Sequence, residues 1–267
     1  MSTDIQDKID NWYEKFNDDR PRYHMGASLA GHPCERYLWL IFRWAKDESF
    51  PGRVLRLFER GQNEEDIVTR NLNRIGFKVN NCGENQLVVD LGSHVGGSID
   101  GILPDENAIL EIKTHALKSF ESLLKEGVAV SKPQHMVQMQ SYMSATGLPK
   151  ALYLGVCKND DRIYTEWVDF DAEMAEKYIE RAQRIATQDE LPAPLSENPS
   201  WWGCKFCSMK GFCHGEDKIE RKHCRTCAHS SALEDGTWFC EHHKGPIDNQ
   251  YQAEGCKAFE MHDHLIK

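Results

Sequence analysis

The chain has 267 residues, 40% of them hydrophobic and 28% charged, with a formal net charge of −10 at pH 7. This balance is that of a globular protein and excludes collagen-like, low-complexity and disordered classes; no apolar run approaches the roughly 20 residues that a bilayer span requires. The acidic charge argues against a protein that coats nucleic acid regardless of sequence, though not against one that grips it locally.

The opening MSTDIQDKID is polar and acidic, unlike a signal peptide or presequence, so a cytoplasmic location is expected. Residues 5–17 predict a helix, and residues 35–45 (ERYLWLIFRWA) a strongly apolar one. Residues 52–75 predict a long helix closed by Gly76. Residues 20–74 carry ten basic side chains, all but Lys46 arginine, against seven acidic ones. That density suits phosphates, and equally a solvated helix face. The period then changes to short strands at 86–91, 94–102 and 108–113. Helices are expected at 116–126 and 133–146, a strand pair at 151–157 and 162–170, and a helix at 171–188. LPAPLSENP (191–199) reads as a linker before a Cys/His-rich tail. The order predicts an α/β (α+β) core, a central mixed β-sheet flanked by helices, with a small C-terminal metal-bound module. The boundary is expected at 214/215, giving domains 1–214 and 215–267.

Three segments carry candidate chemistry. Asp100 ends a strand in GGSIDG, and Glu111 and Lys113 share one face of the next strand while Leu110 and Ile112 fill the other. Two acids and a lysine at neighbouring strand ends are what a hard divalent cation requires; the same pattern also fits an exposed hairpin with an ordinary Glu–Lys pair. On the 52–75 helix, Val54, Phe58, Gly61, position 65, Val68, Leu72 and Ile75 form a stripe predicted to face the core. Position 65 is Glu, costly there unless paired or metal-bound; Glu64 takes its place if the helix is rotated. On the 133–146 helix, His135, Gln138 and Tyr142 share a face suited to a phosphate or a water, and Met136, Met139 and Met143 form the adjacent core face.

Seven of the ten cysteines follow residue 200, and without a secretory signal metal is the expected use. Cys204-x2-Cys207-x5-Cys213 is one ligand short of a closed site, and Cys34 can supply the fourth, with His214 as a substitute. Cys224-x2-Cys227-x12-Cys240-x15-Cys256 reads as a structural zinc site, with His229, His242 and His243 as alternative ligands and His223 just before it. Cys82 and Cys157 read as small buried hydrophobes.

Taken together, the motifs resemble the PD-(D/E)XK nuclease superfamily, in its RecB-like and lambda-exonuclease (YqaJ)-like branch. GQNEE fits the GxxxE element with Gly61 and Glu65, SIDG fits S-x-D-G with Asp100, EIK fits E-x-K with Glu111 and Lys113, and QMQSY fits Q-x-x-x-Y with Gln138 and Tyr142. Many RecB-like members carry histidine on the first helix where this chain has glutamate. The resemblance implies a restriction-endonuclease-like core that hydrolyses DNA phosphodiesters with Mg²⁺ or Mn²⁺. Asp100, Glu111 and the carbonyl of Ile112 would hold the metal, Glu65 would assist and Lys113 would place the attacking water. The split cysteine set resembles the CRISPR-associated Fe–S exonucleases and the AddB nuclease domain, implying a [4Fe–4S] cluster on Cys34, Cys204, Cys207 and Cys213. The expected partner is DNA, with an annealing protein or helicase by analogy and room for a homo-oligomer. The alternatives are a structure-specific or CRISPR-type processing endonuclease, and a catalytically silent metal-bound interaction module.

Overall fold

A computed structural model describes residues 2–17, 22–46, 49–215, 217–219 and 221–266. In chain order the elements are α1 (Ser2–Phe16), β1 (Met25–Gly26), α2 (Ala27–Ala30), α3 (Glu35–Phe42), α4 (Gly52–Arg74), β2 (Leu87–Asp90), β3 (Val95–Ile99), β4 (Gly101–Leu103), β5 (Ala108–His115), α5 (Leu117–Ser131), α6 (Pro133–Thr146), β6 (Lys150–Cys157), β7 (Ile163–Asp169) and α7 (Ala172–Thr187). The tail adds α8 (Trp202–Lys205), α9 (Lys210–His214), β8 (Ser230–Ala232), β9 (Trp238–Cys240), β10 (Gly245–Pro246) and α10 (Asn249–Gln252). The expected mixed sheet with flanking helices is present. Among the described residues no helix is long and apolar enough to cross a membrane.

The chain divides into two compact units, one of Met1–Arg20, Glu48–Val89 and Gly97–Glu176, the other of Pro21–Asp47, Asp90–Gly96 and Lys177–Lys267. This division does not follow the Pro-rich stretch at 191–199, which lies within the second unit.

The first unit is built on a four-stranded sheet in the order β4-β5-β6-β7, with β5 and β6 parallel and the outer pairs antiparallel. The parallel pair needs a crossover, and α5 and α6 supply it. Leu110, Ile112, Leu152, Leu154 and Val156 alternate onto one face, where they pack with Val68 and Leu72 of α4. The opposite face carries Glu111, Lys113 and His115 on β5 and Tyr153 and Gly155 on β6.

Two expectations change here. The strand expected over 94–102 is two strands, β3 and β4, broken at Asp100, which leaves the ladder to use its side chain. The stripe on α4 is only partly a core face. Val68 and Leu72 are buried, but Phe58 and Ile75 are exposed, because only the middle of the C-terminal half of α4 lies over the apolar sheet face. The N-terminal half packs with α1 instead, Arg56 pairing with Asp10 at 3.1 Å and Gly52 N–H bonding Glu14 at 2.7 Å.

The second unit closes around two fully buried arginines. Arg225 donates to Gln252 Oε1 at 2.8 Å, to the carbonyl of Phe42 at 2.7 Å and to that of Tyr23 at 2.7 Å. Its guanidinium lies 4.0 Å from the Trp44 ring centroid and 5.0 Å from that of Trp238. Arg43, 4.6 Å from the Trp39 ring centroid, pairs with Asp189 at 3.1 Å. Burial pulls the Arg225 pKa down to about 9 and that of Arg43 to about 10, so both remain charged at neutral pH. Arg43 is thus a structural arginine, not part of a phosphate-facing surface. The three-stranded sheet β10-β9-β8 lies in the same unit. In this fold the tail is not free-standing: its Arg225 is enclosed by residues that flank α3.

Replacing Arg225 by Met keeps most of the volume and leaves the carbonyls of Tyr23 and Phe42 without a donor. Losing charge-assisted hydrogen bonds at a buried site costs roughly 3 kcal/mol or more. Urea unfolding of Arg225→Met is expected to show that loss; a wild-type midpoint would refute the arginine's role as an anchor.

Candidate active site

Asp100 sits in the turn between β3 and β4, and its Oδ2 accepts the Ile112 N–H at 2.7 Å. That bond fixes the carboxylate beside β5. Strand alternation then brings Glu111 and Lys113 to the same place. Lys113 is ion-paired with Glu111 Oε1, stands 3.6 Å from Asp100 Oδ2 and donates to the Ile112 carbonyl at 3.2 Å. Glu111 is 0% exposed, and its Oε2 has no hydrogen-bond partner among the described residues.

Burial raises the Glu111 carboxyl well above the ordinary carboxylate range, against the pull of Lys113. Burial alone would depress Lys113, but the charges of Glu111 and Asp100 outweigh it and hold its pKa above the usual ammonium value. Glu65 of α4 joins the group: burial, then the charge of Asp100, pushes its pKa up to about 7. Its Oε2 accepts a hydrogen bond from Gln86 at 3.1 Å. Of the two α4 candidates it is Glu65, not Glu64, whose charge is felt by Glu111.

Tyr142 and Gln138 reach the cluster from α6. Both are buried, and Gln138 Nε2 donates to Tyr142 Oη at 3.4 Å. Burial and the Glu111 charge raise the Tyr142 pKa, so its hydroxyl stays protonated. Gly97 makes this approach possible, since a Cβ there would lie 2.5 Å from Tyr142 Oη. All six catalytic candidates therefore converge in the first unit. Gln86 and Gly97 were not anticipated; both act through contacts with residues distant in sequence.

Three carboxyl groups share one ammonium in a water-poor place, and the raised pKa values of Glu65 and Glu111 mark a shortage of positive charge there. With Glu111 Oε2 unpartnered, the donor set fits a hard divalent cation. Among the described residues no group of three or more His, Cys, Asp or Glu side chains is placed closely enough to hold a metal ion as it stands.

The cysteine sets lie in the second unit. Arg181 holds the loop before α3 by donating to the carbonyls of Ala30 and His32, each at 2.9 Å, and to Glu35 at 2.9 Å. This places Cys34 within electrostatic reach of the later cysteines. Burial raises the Cys207 thiol, with the charges of Cys34 and Cys204 adding to it, and burial raises Cys213, with Cys207 and Cys34 adding. In the tail, burial and then Cys227, Cys240 and Cys256 push Cys224 up to about 11. These four cysteines line one cavity of about 390 Å³ together with His229, His242 and His243. His223 is buried elsewhere, its Nε2 3.2 Å from the Trp44 carbonyl. Cys157 is buried on β6 and Cys82 is partly exposed.

Residues 42–149 match the YqaJ-like viral recombinase domain, a stretch that contains all six catalytic candidates. No curated protein matches the sequence. Among solved structures, the chain is similar to an alkaline exonuclease from Laribacter hongkongensis (LHK-Exo), with 16% identity, 66% of this chain and 90% of that chain covered, and a TM-score of 0.46. It is also similar to a phage-related exonuclease from Haemophilus somnus 129PT, with 15% identity, coverages of 57% and 78%, and a TM-score of 0.43.

The raised Glu65 pKa carries a pH signature. Between the ordinary value of 4.5 and about 7 the folded state holds a proton that the unfolded chain has released. Glu65 therefore costs stability as pH rises through this range. Buried His94 and His115 and half-buried His135, whose pKa values are pulled down to about 4, 4 and 3, act in the opposite sense. The clean observable is thus a difference: in chelator, Glu65→Gln should gain melting temperature over wild type between pH 5 and pH 8. A constant offset across that range would contradict the placement of Glu65.

Proposed function

We propose that the chain is a divalent-metal-dependent deoxyribonuclease that degrades DNA from its ends, in recombination, repair or phage DNA processing. The observation that carries this reading is the meeting of Glu65 from α4, Asp100 from the turn between β3 and β4, and Glu111 and Lys113 from β5, with an unpartnered buried oxygen on Glu111. The family match over 42–149 supports it, since that family is described as a viral recombinase domain.

Asp100, Glu111, the carbonyl of Ile112 and Glu65 would hold Mg²⁺ or Mn²⁺. Such an ion makes a bound water more acidic and offsets negative charge at the phosphate under attack. The residues do the rest. Lys113 orients the attacking water, and Asp100 keeps β5 in place through the Ile112 N–H. Gln138 and Tyr142 offer neutral donors to the substrate backbone.

The same proposal assigns a [4Fe–4S] cluster to Cys34, Cys204, Cys207 and Cys213, and zinc to Cys224, Cys227, Cys240 and Cys256. The cluster thus belongs to residues 1–214 and the zinc to residues 215–267. The mutual influence of the thiols within each set supports both assignments, and all-thiolate ligation suits iron–sulfur and zinc alike. The cluster would tie the loop before α3 to the segment carrying α8 and α9.

With Mn²⁺ and anaerobically prepared protein, end-labelled linear DNA should disappear while a closed circle survives. Asp100→Ala and Lys113→Ala should each lower the rate at least 100-fold, as loss of a principal charged group at a reacting centre does. A cut circle would replace the exonuclease reading with an endonuclease one, and full activity in both variants would remove the active-site assignment. Brown protein whose broad visible absorbance is lost in Cys34→Ser is expected for the cluster; colourless protein with two zinc ions would refute it.

A further inference from the structure

The face that carries Glu111 and Lys113 continues into a second polar group with no part in the scheme above. Tyr153, fully buried on β6, stands opposite Glu111 in the ladder. Its hydroxyl lies 2.8 Å from His115 Nε2, at the end of β5, and 2.9 Å from His135 Nδ1, on α6. His115 Nδ1 is in turn 3.3 Å from Ser119 Oγ. Gly155, opposite Lys113, leaves the room for this, since a Cβ there would lie 3.0 Å from Leu123 and 3.3 Å from the His115 ring.

Burial, reinforced by nearby lysines, holds both imidazoles far below their usual pKa, and burial raises that of the Tyr153 hydroxyl. All three groups are therefore neutral near pH 7. A tyrosine hydroxyl has one proton to give, so between two neutral imidazoles it donates to one and accepts from the other. The run Ser119–His115–Tyr153–His135 thus has two self-consistent directions. Both use His135 Nδ1, and both leave His135 Nε2, which has no hydrogen-bond partner among the described residues. His135 shares the face of α6 that carries Gln138 and Tyr142, and the charge of Lys113 reaches its ring.

We propose that His135 contacts the substrate, donating Nε2–H to a non-bridging oxygen of a DNA phosphate, with Ser119, His115 and Tyr153 as the positioning relay behind it. This rests on the nuclease reading. A phosphate at Nε2 selects one direction of the run. Ser119 Oγ–H donates to His115 Nδ1, His115 Nε2–H donates to Tyr153 Oη, and Tyr153 Oη–H donates to His135 Nδ1, which leaves the remaining ring proton on Nε2. A neutral donor suits the place, because a second cation beside Lys113 would be repelled by it and would compete for the carboxylates that the divalent ion requires.

Two measurements test the relay on the full-length protein: steady-state cleavage of a short DNA duplex in Mn²⁺, and binding of the same duplex in Ca²⁺ by fluorescence anisotropy. His135→Ala is expected to raise KM and Kd about tenfold, the effect of one hydrogen bond to a charged group, with kcat within about threefold. His135→Gln, which restores a donor, should recover much of that loss; a purely structural histidine would show no such rescue. Tyr153→Phe and Ser119→Ala should shift KM in the same direction by less. Unchanged KM and Kd in His135→Ala, or a fall in kcat alone, would overturn the inference and leave the nuclease reading standing if the wild type cleaves. A wild type that fails to cleave would remove the nuclease reading, and the binding arm then decides. Weakened binding in His135→Ala with rescue by Gln supports the contact, and equal binding, or none by the wild type, refutes it.

Discussion

A carboxylate shut away from water must be neutralised by something nearby, and Glu111 is wholly buried in β5 with a single ammonium beside it. Much of the first unit answers that constraint. Lys113 has to sit two residues on, on the same face of the strand. Asp100 has to interrupt the chain between β3 and β4 to bond the Ile112 N–H, which fixes β5 against the turn and adds a second negative charge. Glu65 and its partner Gln86 close the group from the side of α4. An apolar residue at position 111 would pack there without any of these devices. Their presence is why the site reads as built for a cation rather than for stability.

The strand-borne part of this arrangement was legible because a period of two is a local property. Glu111 and Lys113 share a face whatever the rest of the chain does. Glu65 was reached by a less secure route. The stripe that singled it out predicted burial for Phe58 and Ile75 too, and both are exposed, because periodicity says which residues share a face but not how much of the helix the sheet covers. Asp100 was placed correctly at a strand end, yet the break it makes between β3 and β4 was invisible. That break exists for a hydrogen bond to a residue twelve positions away. The contact between Tyr153 and His115 depends on the register of two parallel strands separated by α5 and α6, and no local pattern encodes such a register. Gly97 and Gly155 carried no signal either, since each is defined by the ring that passes over it.

The second unit taught a different lesson. Cysteine spacing pointed to two metal sets, and the thiols of each set lie within electrostatic reach of one another. Spacing could not reveal that the tail is held by an arginine. Arg225, one residue after the first tail cysteine, is surrounded by the rings of Tyr23, Phe42, Trp44 and Trp238. The spacing had suggested only a small metal-bound module. The structure gives it a second source of order, a buried cation capped by two backbone carbonyls from the other end of the chain.

That capping has a temporal side. The carbonyls that Arg225 caps lie 202 and 183 residues before it. On a ribosome adding about 5–20 residues per second, roughly ten to forty seconds separate their emergence from that of the arginine. Throughout that interval the apolar helix around Leu38, Trp39 and Leu40 has no completed unit to enter, while the sheet of the first unit can already assemble. The apolar segment that carries Trp39 and Trp44 is therefore made well before the arginine that completes its unit, so its burial waits on the synthesis of residue 225.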